Sequence, residues 1–207
     1  MLYNYVMISV LDIGIGNINS IIKALNSLNI KSCLIKDEKG IMEANKIIFP
    51  GVGSFNSASK ILHEKKIINS LLLKIEDKTP YLGICLGMQL LAEVGYEGNE
   101  KSNGIGYING SVTKIKVSKG YRLPHIGWNE VNHDGNGIFY GIPKKTDFYF
   151  VHSYSMKPEE EANIFYTDYS GPVCAFIRKG SAFGVQFHPE KSQEFGLKLL
   201  KNFHELC

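Results

Sequence analysis

The sequence predicts one α/β domain, in which a doubly wound, mostly parallel sheet carries helices on both faces and antiparallel strands follow in the C-terminal half. Short continuous apolar runs alternate with helical patterns through the first half of the 207 residues. After Gly104, alternating patterns and dense turn signals replace them. Since no linker, repeat or low-complexity segment interrupts the chain, we expect residues 1–207 to form a single domain.

The bulk composition excludes several functional classes. A formal net charge of +3 is too small, and too dispersed along the chain, to predict nucleic-acid binding. A hydrophobic content of 44% with 21% charged residues is ordinary for a soluble globular protein. No apolar run approaches the length of a membrane span, and the N-terminus does not resemble a signal peptide. We therefore expect a cytoplasmic protein that binds neither nucleic acid nor a membrane.

The cysteines do not form a metal or disulfide pattern. No two of them make a CxxC pair, and a chain of this size does not need a disulfide framework. The four positions are Cys33, Cys85, Cys174 and Cys207. We expect reduced thiols, no metal site and no cofactor.

The N-terminal half reads as successive strand and helix units. We expect strands at residues 6–11, 33–35 and 46–49, with a long helical region over about 57–75. The first helix has its apolar positions on one face: Ile18, Ile21, Ile22, Leu25 and Leu28. Gly14 and Gly16 invite a dinucleotide-binding interpretation, but Asn19 replaces the third glycine of that motif, so a tight turn is favoured.

The C-terminal half is predicted to be rich in antiparallel strands and to end in a helix. Strand patterns occur at residues 111–117, 148–151, 174–178 and 183–187. The last helix, over residues 193–206, is amphipathic. Its inward positions are Phe195, Leu199, Leu200 and Phe203.

A nucleophile elbow is indicated at Cys85. A short apolar run after Pro80 leads into Gly83-Ile84-Cys85-Leu86-Gly87, the Gly-x-Cys-x-Gly form of a tight strand-to-helix turn. Leu86, Leu90 and Leu91 then give an apolar helical pattern. Such a turn leaves the middle side chain at a strained, exposed tip, and a helix N-terminus there favours the thiolate. The alternative is a buried apolar cysteine, the usual fate of a free thiol.

A general base and its partner are indicated by Gly-Val-Gln-Phe-His-Pro-Glu at residues 184–190. In an extended chain His188 and Glu190, two residues apart, face the same side. A base oriented by a carboxylate is what a cysteine nucleophile needs. The alternative is a surface histidine beside a solvated glutamate.

A glycine-rich loop supplies the third part of the chemistry. Gly51 and Gly53 flank Val52, and such a loop can turn backbone N–H groups toward an anion, although a simple strand-to-helix turn is the alternative. Together with Cys85 and His188, it predicts attack on a carbonyl through a tetrahedral intermediate and a covalent thioester.

Three motifs, in this order, resemble the class I (triad-type) glutamine amidotransferases. They are Pro-Gly-Val-Gly-Ser-Phe at residues 50–55, Gly-Ile-Cys-Leu-Gly-Met-Gln-Leu at 83–90 and Phe-His-Pro-Glu-Lys-Ser at 187–192. The resemblance spans essentially the whole chain. Within that family, the sequence most resembles the glutaminase subunits of imidazole glycerol phosphate synthases.

The resemblance implies a role for each matching residue. Cys85 would be the nucleophile, His188 the general base and later acid, and Glu190 the residue that orients His188. Backbone N–H groups of Leu86 and of the Gly51-Val52-Gly53 loop would meet the oxyanion. The substrate L-glutamine would be contacted by Gln89, Glu97, Ser153 and Tyr154.

The resemblance also implies a partner, a (βα)₈-barrel cyclase subunit that receives the ammonia and makes imidazole glycerol phosphate and an aminoimidazole carboxamide ribotide. Pro124, His125, Gly127, Trp128 and Asn129 match the family's segment at that interface. As the only tryptophan, Trp128 could instead be a core or hairpin residue.

One departure from the family pattern keeps a second acceptor open. The usual Gly-Asn-Leu-Arg-Ser near the N-terminus is Gly-Asn-Ile-Asn-Ser at residues 16–20, without the arginine. Paralogues of the family supply ammonia for amidation of a surface-polysaccharide sugar. A non-catalytic regulatory module and a stand-alone cysteine hydrolase of γ-glutamyl substrates are further alternatives.

Overall fold

The structure is a computed structural model that describes residues 7–98 and 100–207. In chain order its helices and strands are β1 (Ile8–Leu11), α1 (Ile18–Ser27), β2 (Ser32–Ile35), α2 (Glu38–Glu43), β3 (Ile47–Gly51), α3 (Phe55–Glu64), α4 (Ile68–Glu76), β4 (Tyr81–Cys85), α5 (Leu86–Gln89), β5 (Ala92–Glu97), β6 (Glu100–Asn103), β7 (Ile108–Lys114), β8 (His125–Val131), β9 (Thr146–His152), β10 (Tyr154–Pro158), β11 (Asn163–Asp168), β12 (Pro172–Lys179), β13 (Ala182–Val185) and α6 (Gln193–Leu206). Two 3₁₀ turns lie at Gly137–Phe139 and Pro189–Lys191.

A seven-stranded sheet in the order β11-β12-β13-β4-β3-β1-β2 forms the centre of the fold. The strands from β13 to β2 run parallel to one another, whereas β12 and β11 continue the sheet antiparallel. Strand β13, from the C-terminal half of the chain, lies beside β4 in the middle of the sheet. The predicted doubly wound, mostly parallel sheet is confirmed.

The two faces of this sheet bury separate apolar clusters. Neighbouring strand residues divide between them, as Ile47 and Phe49 pack into one cluster and Ile48 into the other. Helices α3 and α4 cover the first face, and α1 and α6 cover the second. Since both faces are filled, the carboxyl ends of the parallel strands are where a site can form.

The antiparallel part begins earlier than predicted. Strand β5 starts at Ala92, and the helix expected to continue through Leu90 and Leu91 ends at Gln89. Both leucines are fully buried, and in such a continuous buried run periodicity does not separate helix from strand. The remaining strands form a four-stranded sheet, β10-β7-β5-β6, and a hairpin, β8-β9.

Two other sequence predictions need correction, and one bound stays a prediction. The single helix expected over residues 57–75 is two helices, because Lys66 between them adopts a left-handed φ of 57°. Helix α2 was not predicted, since only Ile41 of its residues is buried and one apolar position sets no period. Val6, the predicted first residue of β1, lies outside the described residues.

Within the described ranges, no helix combines the length and the apolar character needed to cross a membrane.

The close approach of α5 to the sheet gives a stability prediction. A Cβ on Gly87 would lie 1.8 Å from the carbonyl oxygen of Phe49 and force the elbow away from β3. We expect Gly87→Ala to lower the free energy of unfolding by about 1–3 kcal/mol or more, measured by urea denaturation. Lys60→Ala, on the exposed side of α3, is the control and should change it by no more than about 0.5 kcal/mol. Equal stability of the two variants would contradict this packing.

Candidate active site

Three strand ends meet at Cys85. Gly51, the last residue of β3, pairs with Cys85 at the end of β4. On the other side Val185 of β13 pairs with Ile84, so Gln186 lies beside Cys85. The chain then continues through Phe187 to the histidine of the last motif. Parallel register therefore brings the glycine loop, the cysteine and the histidine segment to one edge of the sheet.

The elbow is strained at the cysteine itself. Cys85 has φ 54° and ψ −106°, a positive φ that a side chain with a Cβ adopts only where the surroundings enforce it. Gly83 and Gly87 keep ordinary φ values and serve close packing instead, because a Cβ on Gly83 would lie 2.4 Å from the Gly87 carbonyl oxygen. The predicted strain is therefore present at Cys85. The two glycines allow it because they have no Cβ that would clash, and not because they adopt a positive φ.

The predicted exposure of the cysteine is wrong. Cys85 is 7% exposed, because β4 is an interior strand with neighbours on both sides. The helix that follows has a single turn, so few peptide dipoles are aligned there and their effect on the thiolate is small. The sulfur is instead surrounded by polar groups of other strands, described below.

His188 is held by backbone and side-chain contacts on both of its sides. Its N–H donates to the Tyr149 carbonyl at 2.9 Å, and its own carbonyl accepts from Ser192 Oγ at 2.7 Å. Its Nδ1 lies 2.8 Å from Glu190 Oε1, and both side chains are 2% exposed. Because residues 189–191 form a 3₁₀ turn, the pair closes across a turn and not along an extended strand, as the sequence argument had assumed.

The charges around His188 favour its protonated form. Burial by itself would lower the pKa of His188, but the neighbouring Cys85 sulfur and the Glu190 carboxylate raise that pKa to about 10. Nε2 is buried and is not in hydrogen-bond geometry with any described residue, so the contact with Cys85 is looser than an ordinary hydrogen bond. A protonated imidazole beside Cys85 stabilises the thiolate, and Nε2 remains able to exchange a proton with a bound substrate.

The glycine loop lies directly against the elbow. A Cβ on Gly51 would be 3.0 Å from Leu86 Cβ and 3.2 Å from the Gly87 nitrogen. Gly53 has φ 113°, in the region that favours glycine, with no atom within 4 Å of where a Cβ would stand. Val52 between them is 40% exposed. The loop therefore borders Cys85 and has room for its backbone to move.

Glu97 has a contact that the sequence did not predict. Its Oε2 accepts a hydrogen bond of 2.5 Å from the N–H of Phe55, the first residue of α3. Its carbonyl accepts from Asn56 Nδ2 at 2.8 Å. Glu97 thus anchors the chain immediately after the glycine loop through Oε2, and Oε1 is the oxygen better placed to accept in the predicted contact with glutamine.

Gln89 is largely committed to internal contacts. It is 6% exposed, and its Nε2 donates to the Tyr154 carbonyl at 2.9 Å and to Gln186 Oε1 at 3.0 Å. Both amide protons are therefore used, and a predicted contact with substrate would fall to Oε1. Ser153 and Tyr154 join β9 to β10, and both are partly buried.

The predicted partner segment lies at the start of β8, the first strand of the hairpin β8-β9, but His125 does not belong to the hairpin surface. His125 is fully buried, where its ring stacks on Tyr169 at 3.9 Å and Nδ1 lies 3.0 Å from His152 Nε2. Strand alternation turns it inward, and it cannot touch a partner directly. Half-buried Asn129 lies on the same side and is bonded to His125.

The opposite side of β8 faces outward. Ile126 is 59% exposed and Trp128 44% exposed, with Gly127 between them and Pro124 exposed at the strand start. We call Ile126 and Trp128 the hairpin apolar face. Ile126 was not among the predicted contacts, although its alternation with His125 in β8 would have identified it.

Gln186 is the main site residue that sequence reasoning missed. It is fully buried beside Cys85, and its Nε2 donates to the sulfur at 3.6 Å. The signal that could have found it is its position, directly after the apolar strand that leads to His188 and two residues before that histidine. In the part of the chain that the structure describes, no cluster of three metal-ligating side chains occurs.

Comparison with known proteins agrees with this geometry. The family model for glutamine amidotransferase class-I matches residues 9–206. The chain is 42% identical over 202 residues to imidazole glycerol phosphate synthase subunit HisH 1 of Campylobacter jejuni, covering 97% of this chain and 100% of that one. It is 41% identical over 200 residues to subunit HisH 2 of Methanococcus maripaludis, covering 95% and 98%.

Solved structures share the fold at low sequence identity. A crystal structure of a glutamine amidotransferase has a TM-score of 0.75 at 19% identity, covering 96% of this chain and 97% of that one. PurLQS from Thermotoga maritima has a TM-score of 0.74 at 17% identity, covering 95% and 96%. With a family match over nearly its whole length, the chain belongs to the class-I glutamine amidotransferases.

Proposed function

We propose that this chain is the glutaminase subunit of an imidazole glycerol phosphate synthase, which hydrolyses L-glutamine and passes the ammonia to a cyclase subunit. The observation that carries the proposal is Cys85 at a strained elbow beside the buried His188–Glu190 pair. The names of the relatives that are about 40% identical over nearly the whole chain support the choice of acceptor reaction.

The reaction follows from the charges of the site. The Cys85 thiolate attacks the side-chain carbonyl carbon of glutamine, and the resulting oxyanion is met by N–H groups of Leu86 and the Gly51–Gly53 loop. His188 donates its proton to the leaving amine, so that ammonia departs and a γ-glutamyl thioester remains. Neutral His188 then takes a proton from water, which attacks the thioester and releases glutamate and the thiolate.

Glu190 keeps His188 in position through both steps. Its carboxylate accepts from Nδ1, which fixes the ring with Nε2 toward Cys85 and stabilises the imidazolium. Both side chains are buried, so water does not compete for this bond. Glu190 is in this account a positioning residue rather than a proton donor.

The hairpin apolar face is the surface on which we place the cyclase subunit. Trp128 packs edge-to-face on Tyr149 with ring centroids 5.9 Å apart. The backbone of Tyr149 in turn bonds the His188 N–H and Ser192 Oγ. A partner that binds Trp128 would therefore contact a residue packed on Tyr149, whose backbone holds His188. This contact gives a physical route by which assembly could activate the site.

The departure at the N-terminus is the reason for keeping one alternative acceptor, although the names of the relatives favour the histidine-pathway reaction. Asn19 stands, exposed, where the family pattern has arginine. An ammonia acceptor other than the histidine-pathway ribotide, such as a polysaccharide sugar, would need the same glutaminase chemistry with a different barrel. The experiment below separates the two.

Glutamate release should depend on Cys85 and on the partner. We expect the purified chain alone to release glutamate slowly, and faster when mixed with an imidazole glycerol phosphate synthase cyclase and its ribulosyl ligand. Cys85→Ala should lower this rate roughly 10⁴-fold or more and still form the complex. Cys33→Ala, at a half-buried thiol on β2, is the control and should keep the rate.

The outcomes separate the hypotheses. A rate unaffected by Cys85→Ala would contradict the proposed chemistry. A Cys85-dependent rate that no cyclase and ribulosyl ligand stimulate would point to the polysaccharide acceptor instead.

The hairpin apolar face should contribute to partner affinity. Trp128→Ala removes an exposed aromatic side chain of the kind that dominates interfaces, and we expect the dissociation constant for the cyclase to rise about tenfold or more, measured by calorimetry. Leu73→Ala is the control, because Leu73 is 56% exposed on α4, away from the hairpin. Equal affinities for both variants would place the interface elsewhere.

A further inference from the structure

Gln186 is placed against the nucleophile by the sheet register. Val185 pairs with Ile84, and the next residues on each strand are Gln186 and Cys85. Gln186 is fully buried, and its N–H donates to the Ala175 carbonyl at 2.9 Å. Its side chain has no freedom to reach solvent, so its amide must find partners inside.

The hydrogen-bond network decides which end of that amide faces the sulfur. The carbonyl of Tyr154 can only accept, so the Gln89 atom 2.9 Å from it is the donor Nε2. The same Nε2 lies 3.0 Å from Gln186, which must therefore present its oxygen there. The remaining end of Gln186, its Nε2, faces Cys85 Sγ at 3.6 Å. Gln186 thus meets the sulfur with an N–H group and not with its own carbonyl oxygen. The Val151 carbonyl oxygen is a more distant neighbour, 4.0 Å from Sγ.

The far end of this network is fixed by His152. Its Nδ1 donates to the Tyr154 carbonyl at 2.8 Å, so that oxygen receives two hydrogen bonds. Burial lowers the pKa of His152 to about 4, so the ring is neutral at neutral pH and adds no charge near Cys85. The amide of Gln186 is therefore held from behind by neutral groups alone.

A neutral donor is well suited to this place. An N–H bonded to sulfur favours the thiolate over the thiol, since a hydrogen bond to the charged form stabilises that form. An amide does not titrate, so it does not take the proton that His188 must deliver. It also fixes the direction of Sγ, which bears on how the thiolate approaches a carbonyl carbon.

From these contacts we propose that Gln186 is a positioning residue that holds Cys85 Sγ and stabilises its thiolate through the Nε2–H···S hydrogen bond, with Gln89 fixing the amide orientation. This proposal rests on the proposed function of Cys85 as nucleophile. It adds a residue that none of the three sequence motifs had marked as functional.

The test is the pH dependence of Cys85 alkylation by iodoacetamide, read by peptide mass spectrometry in the full chain. Gln186→Met removes the donor with similar volume, and Gln186→Glu replaces it with a carboxylate. We expect the midpoint of the rate profile to move to higher pH in both variants, and the rate at neutral pH to fall roughly tenfold. An unchanged midpoint in both folded variants would overturn the proposal.

Asn202→Leu is the control for a merely structural effect. Asn202 is also a buried amide, but its Nδ2 donates to the carbonyls of Ile138 and Tyr140. The variant should lose thermal stability and keep the wild-type midpoint. If it also moves the midpoint, the effect of the Gln186 variants is global and the proposal fails.

A second measurement does not depend on the Gln186 variants folding. In the ¹⁵N-labelled wild-type chain, the side-chain amide resonance of Gln186 should shift when Cys85 is replaced in Cys85→Ala, because its sulfur acceptor is lost. An unmoved resonance would overturn the proposal. A wild-type Cys85 that alkylates like an ordinary exposed thiol would instead count against the proposed function, whatever the Gln186 variants do.

Discussion

Strand β4 pairs with β3 on one side and β13 on the other. The register of these pairs places Gly51 and Gln186 on either side of Cys85, at the carboxyl end of the sheet. The glycine loop, the sulfur and the amide facing it all depend on this register. A slip of one residue in either pair would turn the inner side chains to the other face of the sheet. The glycines Gly83 and Gly87 keep the elbow pressed against these strands.

The site is buried, and each of its charged groups therefore has a charged or hydrogen-bonding neighbour. A buried thiolate is costly unless it is paired and hydrogen-bonded. Here the sulfur has the His188 ring and the Gln186 amide as neighbours, and His188 has Glu190. Neutral His152 lies behind them, so no second positive charge competes with His188. His188 is therefore held in its protonated form before substrate arrives, while the exposed part of the glycine loop, Val52 and Gly53, has room to change its conformation.

The sequence predicted the sheet class and the triad because both leave local signals. Apolar runs marked the parallel strands, and Cys85 and His188 each follow such a run. The end of α5 and the start of β5 left no signal, because residues 86–92 are all buried and show no periodic pattern. Helix α2 was missed because one buried residue makes no pattern.

The contacts among the site residues could not be read from local pattern. The amide of Gln89 donates to Gln186, and the carboxylate of Glu97 accepts from the N–H of Phe55. Both contacts depend on segments that are distant in the sequence. The inward side of His125 follows from strand alternation, but only once the strand's buried side is known. Family resemblance supplied the residues, and the tertiary arrangement supplied what each of them touches.

The central claim is that His188 is held protonated by Cys85 and Glu190, and its titration tests this most directly. In the chain labelled with ¹³C-histidine, His188→Gln identifies the His188 signal among the six histidines. The account predicts a midpoint raised far above 6.5, near 10, which falls in Cys85→Ala and in Glu190→Gln because each removes a cause of the raised pKa. A wild-type midpoint at or below 6.5, unmoved in both variants, would contradict it.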